Sequence, residues 1–313
     1  MGPIGGLDLS CEIAGVRLSN PLVLASGILG TSAVLLIRVA RLGAGAVTAK
    51  SATRLPRVGH PSPILFDWGH GLINAVGLTN PGAEGMAEIL RAAKAGLAPL
   101  GVPLIASVFA ASVEEFVEVA RMLAAAGPDL IELNLSCPNV ASEYGEIFAA
   151  NPRATAEAVA AVKAAVPCPV LAKLAPHVPD IARIARAAEE AGADGITAVN
   201  TMPGMVIDVE AGRPGLTNRE GGISGPALKP IAVRCVYEIA RAVRIPIIGT
   251  GGVLTGEDAI EMIMAGATAV GVGSAVAHRG MGAFQAIRSE MEDWLAAHGY
   301  RCLAEIRGLA HRR

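Results

Sequence analysis

Aromatic side chains make up only 3% of this sequence, whereas hydrophobic residues as a whole make up 52%. Any core must therefore be filled by Ala, Val, Leu and Ile, the filling of parallel strands buried on both faces. An excess of charge of one sign is missing as well. Lys and Arg number 26 against 28 Asp and Glu, a net charge of −2, and no long basic run precedes the His311-Arg312-Arg313 tail. That excludes a general attraction to nucleic acid or to anionic lipid and leaves a small molecule as the expected partner. Cys11, Cys137, Cys168, Cys235 and Cys302 include no Cys-x-x-Cys pair, so no metal site or complete iron–sulfur pattern is expected, and the compartment reads as reducing and cytoplasmic. No basic segment followed by an apolar one opens the chain, so no secretory signal is expected. The longest uncharged stretch, Ala95 to Val113, is interrupted by Gly96, Pro99, Gly101 and Pro103, which argues against a membrane span.

What is present is alternation. Leu7 to Leu18 reads as a short β-hairpin turning at Ala14-Gly15, suited to plugging the bottom of a barrel. Strand-like runs follow at Leu22–Ala25, Ala46–Ala49, Leu104–Val108, Leu130–Leu133, Val170–Ala172, Gly195–Val199, Pro246–Ile248 and Ala269–Val272. Helical composition lies between them at Val113–Ala126, Pro152–Ala165, Asp180–Ala191 and Gly256–Ala265, with Gly127, Gly192 and Gly266 as stops. Eight such units predict an α/β fold, a single (β/α)₈ TIM barrel over residues 1–313 with an N-terminal β-hairpin. The connections Lys50–Asn80, Ser136–Asn151 and Asn200–Lys229 are too long for turns, and each follows a strand. They are the expected long loops at the C-terminal mouth, where barrel enzymes carry their sites. An open doubly wound sheet is the alternative that the same alternation permits.

Gly249-Thr250-Gly251-Gly252 and Gly271-Val272-Gly273-Ser274 end the seventh and eighth strands. One glycine turn is an ordinary loop signal, but two at these positions match the place where barrels hold a phosphate. Polar residues recur where the apolar runs stop: Ser26, Lys50, Ser107, Asn134, Lys173 and Asn200. A lone Lys at a strand end is usually solvated; Lys50 and Lys173 at one mouth favour a shared anionic ligand. Asn134-Leu135-Ser136-Cys137-Pro138-Asn139 sets a thiol among amides and a hydroxyl. A free thiol titrates near ~8.5, within reach of general-base chemistry once tuned, although a buried inert Cys is the plainer reading. Cys168, between prolines, and Cys235, in a helical run, keep that plainer reading.

In order along nearly the whole chain, Ala25-Ser26-Gly27, Lys50-Ser51-Ala52-Thr53, Pro56-Arg57-Val58-Gly59, Asn74 to Gly82, Asn134 to Val140, Asn200-Thr201 and Gly221-Gly222-Ile223-Ser224-Gly225-Pro226 resemble the class 1 dihydroorotate dehydrogenase pattern. The resemblance implies FMN as cofactor and oxidation of (S)-dihydroorotate to orotate in pyrimidine biosynthesis. It gives Cys137 the role of base at C5, with hydride passing from C6 to N5 of the flavin. Ser stands at this position in the membrane-bound, quinone-using class, whose N-terminal membrane helices also have no counterpart expected here. FMN contacts fall by this resemblance to Ser26, Lys50, Ser51, Ser107, Asn134, Lys173, Val199, Gly225, Gly251, Gly252, Gly273 and Ser274. Substrate contacts fall to Lys50, Asn74, Ala75, Val76, Gly77, Leu78, Asn134, Asn200 and Thr201. The resemblance to the NAD-linked subclass implies a homodimeric core in a heterotetramer with a subunit carrying FAD and a [2Fe–2S] cluster; the fumarate-using subclass would need no such partner. The chain lacks its own dinucleotide fingerprint for direct NAD use.

Three stretches depart from the family pattern. Ser107-Val108-Phe109-Ala110 replaces Asn-Val-Ala-Gly, Ala141 to Glu146 replaces a Gly-rich lid, and His177 stands where Asn is usual. One rival reading is a dihydropyrimidine dehydrogenase-like flavoenzyme, whose reactive Cys falls later, near Ala149 and Ala150 here. The other is a non-redox phosphate-binding barrel, either an isomerase or a silent binding protein.

Overall fold

The computed structural model describes residues 7–135 and 148–312. Its first elements are β1 (Cys11–Ile13) and β2 (Val16–Leu18), paired antiparallel with Ile13 opposite Val16. Ala14 and Gly15 between them both take positive φ, 52° and 82°, as a two-residue turn matched to strand twist requires. Then come β3 (Leu22–Leu24), β4 (Ala46–Thr48), β5 (Leu65–Asp67), β6 (Leu72–Asn74), β7 (Leu104–Val108), β8 (Leu130–Asn134), β9 (Val170–Leu174) and β10 (Gly195–Ala198). Four short strands follow: β11 (Met202–Gly204), β12 (Ile207–Asp208), β13 (Arg213–Pro214) and β14 (Gly221–Ser224), before β15 (Ile247–Thr250) and β16 (Ala269–Val272).

Eight of these, β3, β4, β7, β8, β9, β10, β15 and β16, close into a barrel in chain order, every neighbouring pair parallel. They coincide with the eight strands read from the sequence, so the closed (β/α)₈ barrel displaces the open-sheet alternative. The four helical stretches are present as Val113–Ala124, Pro152–Lys163, Ile181–Glu190 and Gly256–Met264. Their starts are capped by the side chains of Ser112, Asn151, Asp180 and Thr255, each accepting from an amide of the first turn. Gly127, Gly192 and Gly266 follow their ends with positive φ. Among the described residues no helix is long and apolar enough to cross a membrane.

Because a strand alternates its side chains, each barrel strand sends one set outward to the helices and one set inward. On β8, Ile131 and Leu133 join the outer core with Phe116, Val159 and other helix residues. Leu130 points in and meets Val23, Ala46, Ile105, Leu171, Ile248 and Ala269 from the other strands, together with Ile13 and Leu18 of the hairpin. The hairpin therefore caps the base of the barrel, as its sequence suggested. Two of the long connections build a structure that the alternation did not announce. β5 and β6 from the first, with β11 and β14 from the last, pair antiparallel in the order β11-β14-β6-β5. Glycines permit that pairing: a Cβ on Gly221 would lie 2.5 Å from the Asn74 carbonyl oxygen, and one on Gly222 would lie 2.0 Å from Thr201 Oγ1. The sheet has its own apolar core of Ile73, Ala75 and Leu216 with Phe66, Val206 and Ile223.

Leu18, 1% exposed, fills the base of the barrel beside seven strand residues. Leu18→Ala is expected to cost roughly 2–5 kcal/mol in urea unfolding. Val209→Ala, at an exposed position, should stay within about 0.5 kcal/mol of the parent.

Candidate active site

A cavity of about 380 Å³ opens at the C-terminal end of the barrel, under the four-stranded sheet. That is within the usual range for small-molecule sites. Ser26, Lys50, Ser51, Asn134, Lys173, Val199, Gly225, Gly251, Gly252, Gly273 and Ser274 line it, as do Asn74, Val76, Gly77, Leu78, Asn200 and Thr201. Two residues proposed from the sequence are off its wall. Ser107 is fully buried one layer below, where its hydroxyl meets Ser51 Oγ at 2.8 Å. Ala75 is fully buried and faces the core of the mouth sheet, because alternation along the strand turns it away from its neighbour Asn74. Cys137 lies outside the described residues, as does the replaced lid Ala141 to Glu146.

The floor of the cavity is one connected polar network. Asn200 Nδ2 donates to Asn134 Oδ1 (3.3 Å), and Asn134 Nδ2 donates to Ser51 Oγ (3.2 Å). Ser51 and Ser107 share a hydrogen bond, and Ser107 Oγ donates to Glu132 Oε1 (3.4 Å). Thr197 Oγ1 donates to Glu132 Oε2 (2.9 Å), Lys173 Nζ lies 3.8 Å from Glu132 Oε1, and that ammonium donates to Ser26 Oγ (2.9 Å). Six barrel strands or their ends contribute to it. Ser107, Glu132, Lys173 and Thr197 sit at inward strand positions just above the apolar base, and Ser26, Ser51, Asn134 and Asn200 join them from the strand ends.

Glu132 is absent from the sequence-derived site. Its signal was available: a carboxylate within Leu130-Ile131-Glu132-Leu133, a run otherwise buried on both faces, needs a partner inside the barrel. Asn80, in the same motif as Asn74, is structural. It accepts from the amides of Thr53 and Gly82 and donates to Thr53 Oγ1 and Leu78 O, tying the connection after β4 together.

The two glycine turns line the same cavity. Outside the sheet and helix ladders, and among the described residues, the amides of Gly251, Gly252, Gly273 and Ser274 donate to no protein acceptor. Gly252 has φ 76°, and a Cβ there would fall 2.6 Å from Lys229 Cβ and 2.8 Å from Gly225 O. The turn thus takes glycine for lack of space as well as for its conformation. Uncommitted amides in turns that side chains cannot obstruct fit the oxygens of a phosphate. None of the four described cysteines lines the cavity. Burial pushes the Cys11 thiol up to about 12 and raises Cys168 and Cys235, so these thiols are held as neutral packing groups.

His177 follows Pro176 at the end of β9. Its Nδ1 is buried with no hydrogen-bond partner among the described residues, and burial lowers its pKa below the usual value of 6.5. A depressed folded-state pKa means that the unfolded chain takes up the proton first. The stability His177 contributes is therefore present above pH ~6.5 and lost as pH falls through the folded-state value. In unfolding titrations His177→Asn should show a shallower loss of stability below pH ~6.5 than the parent; superimposable curves would contradict this.

The family model for dihydroorotate dehydrogenase matches residues 8–295. The chain is 49% identical over 304 residues to a Methanosarcina mazei protein, covering 97% of this chain and 95% of the relative. It is 45% identical to a Methanothermobacter thermautotrophicus protein, covering 97% and 98%, and 44% identical to one from Pyrococcus abyssi, covering 96% and 99%. All three relatives are named dihydroorotate dehydrogenase B (NAD(+)), catalytic subunit. By a match that runs almost from end to end, the chain belongs to the dihydroorotate dehydrogenase family.

Proposed function

We propose that this chain is the catalytic subunit of an FMN-dependent, NAD-linked dihydroorotate dehydrogenase. The observation that carries the reading is the convergence, in one barrel mouth, of two glycine turns with uncommitted amides and a floor of Lys173, Asn134, Asn200 and Ser51. The family relationship supports the same reading.

The residues fit the cofactor's chemistry. Gly251, Gly252, Gly273, Ser274 and Gly225 would hold the phosphate, while Ser26, Lys50, Ser51, Asn134, Lys173 and Val199 would meet the ring side. When bound, FMN supplies an acceptor for the hydride equivalent leaving the substrate. Asn74, Asn134 and Asn200 present planar amides suited to the N–H and C=O edges of a dihydropyrimidine, and Lys50 suits its carboxylate. Val76, Gly77, Leu78 and Thr201 complete the wall, excluding water from the reacting face. Cys137, just beyond β8, is assigned the removal of the C5 proton. Ser107 and Ala75 act from behind, through Ser51 and through the mouth sheet. Electrons then pass to a partner subunit, as the relatives' designation as NAD(+)-linked catalytic subunits supports. The expected partner carries FAD and a [2Fe–2S] cluster on a homodimeric core.

Purified protein supplied with FMN should show a flavin spectrum that bleaches anaerobically on addition of L-dihydroorotate. Cys137→Ser should bleach at least about tenfold more slowly, the low end for a lost general base. A bound flavin that stays oxidised would remove the substrate assignment, and no bound flavin would remove the cofactor. Lys173→Met is expected to weaken FMN binding or slow reduction by dihydroorotate, because a cation near developing charge favours the reduced state. Unchanged values for both would remove that role.

A further inference from the structure

Among the described residues Glu132 is the one carboxylate in the network beneath the cavity, and it has no place in the assignments above. It is 3% exposed and Lys173 is 5% exposed. Both carboxylate oxygens are engaged: Oε2 by Thr197 Oγ1, Oε1 by Ser107 Oγ and by the charge of Lys173. The ammonium in turn points at Ser26 on the cavity wall. Glu132 itself does not line the cavity.

From this arrangement we infer that Glu132 is a positioning residue that fixes the Lys173 ammonium against the cavity and, by its charge, offsets the positive field that Lys173 casts on whatever binds there. Three observations carry it. The pair occupies adjacent strands, β8 and β9, at inward positions, so neither side chain has an outward alternative. An ammonium this buried without a counter-ion would carry a large desolvation penalty. Thr197 and Ser107, from the strands on either side of the pair, anchor the carboxylate, so the ion pair is held from below rather than from the cavity. The floor therefore presents a directed N–H donor at Ser26 with little net charge behind it. A ligand that gains negative charge on reduction is stabilised less by this floor than it would be by Lys173 alone.

The inference rests on the flavin reading, and the potential of the bound flavin tests it without recourse to turnover. In the parent, Glu132→Gln and Glu132→Asp proteins loaded with FMN, the midpoint potential is measured together with the affinity for sulfite, a probe whose adduct leaves the ring negatively charged. Glu132→Gln keeps the shape and removes the charge. It is expected to move the potential positive and to tighten sulfite binding by on the order of tenfold, the scale of a unit charge acting over several ångströms in partly buried surroundings. Glu132→Asp keeps the charge and should stay near the parent, which a purely packing role would not produce. Where Glu132→Gln alone fails to hold flavin, Lys173→Met/Glu132→Gln is compared with Lys173→Met, and the added change should again move the potential positive. A flavin potential indifferent to Glu132→Gln in both backgrounds overturns the inference while leaving the cofactor assignment standing. A parent protein that takes up no FMN overturns both.

Discussion

Closure of eight parallel strands into a ring imposes one constraint on which the rest of this protein depends: every second residue of every strand must face a space that has no solvent at its base. The hairpin seals that base with Ile13 and Leu18 against a ring of Val23, Ala46, Ile105, Leu130, Leu171, Ile248 and Ala269. One strand step higher, the inward positions hold Ser107, Glu132, Lys173 and Thr197. Along β7, β8 and β9 the change from apolar to polar takes one strand step, so the polar groups are buried yet adjacent to the cavity. Such groups are costly unless paired. The unbroken chain of hydrogen bonds from Asn200 to Glu132, joined through the Lys173 ion pair to Ser26, is the form that their pairing takes.

The same constraint fixes where ligands can enter. With the lower end closed, the only ends of the strands free to carry function are the C-terminal ones, and the long connections gather there. Two connections separated by more than a hundred residues lie against each other as β6 and β14, with Asn74 Nδ2 donating to Gly222 O at 3.2 Å. The amides and glycines of these segments thus have a double task. They hold the small sheet together and face the cavity from above, while the network faces it from below.

The barrel was legible because its strands are short runs of Val, Ile, Leu and Ala closed by glycine-stopped helices, signals carried within about ten residues. The cavity wall was legible for a different reason: its polar residues stand where apolar runs end, and their motifs resemble a known family. The mouth sheet was not legible. Met202-Pro203-Gly204 and Gly221-Gly222-Ile223-Ser224 have neither alternation nor strand-favouring composition, and their pairing is decided by tertiary contact rather than propensity. The resemblance gave Ser107 to the cofactor and Ala75 to the substrate; Ser107 faces inward one layer below the wall, and Ala75 is turned into the core of the mouth sheet. Glu132 was passed over because it lies inside a strand, not at its end.

Stability alone does not account for the ion pair in the barrel floor. Replacing a buried pair by apolar residues of similar volume is often neutral or stabilising, whereas removing one partner typically costs about 3–5 kcal/mol. The base one strand step below is already apolar, and an apolar pair would extend it, with Ser107 and Thr197 losing their carboxylate acceptor. What an apolar pair would not do is present an N–H donor at Ser26, on the wall of the cavity, from a buried position. That requires a buried ammonium, and a buried ammonium requires Glu132 within reach and itself anchored by Thr197 and Ser107. The pair is therefore explained by the cavity above it and not by the core below, which makes the floor of the barrel part of the site rather than its support.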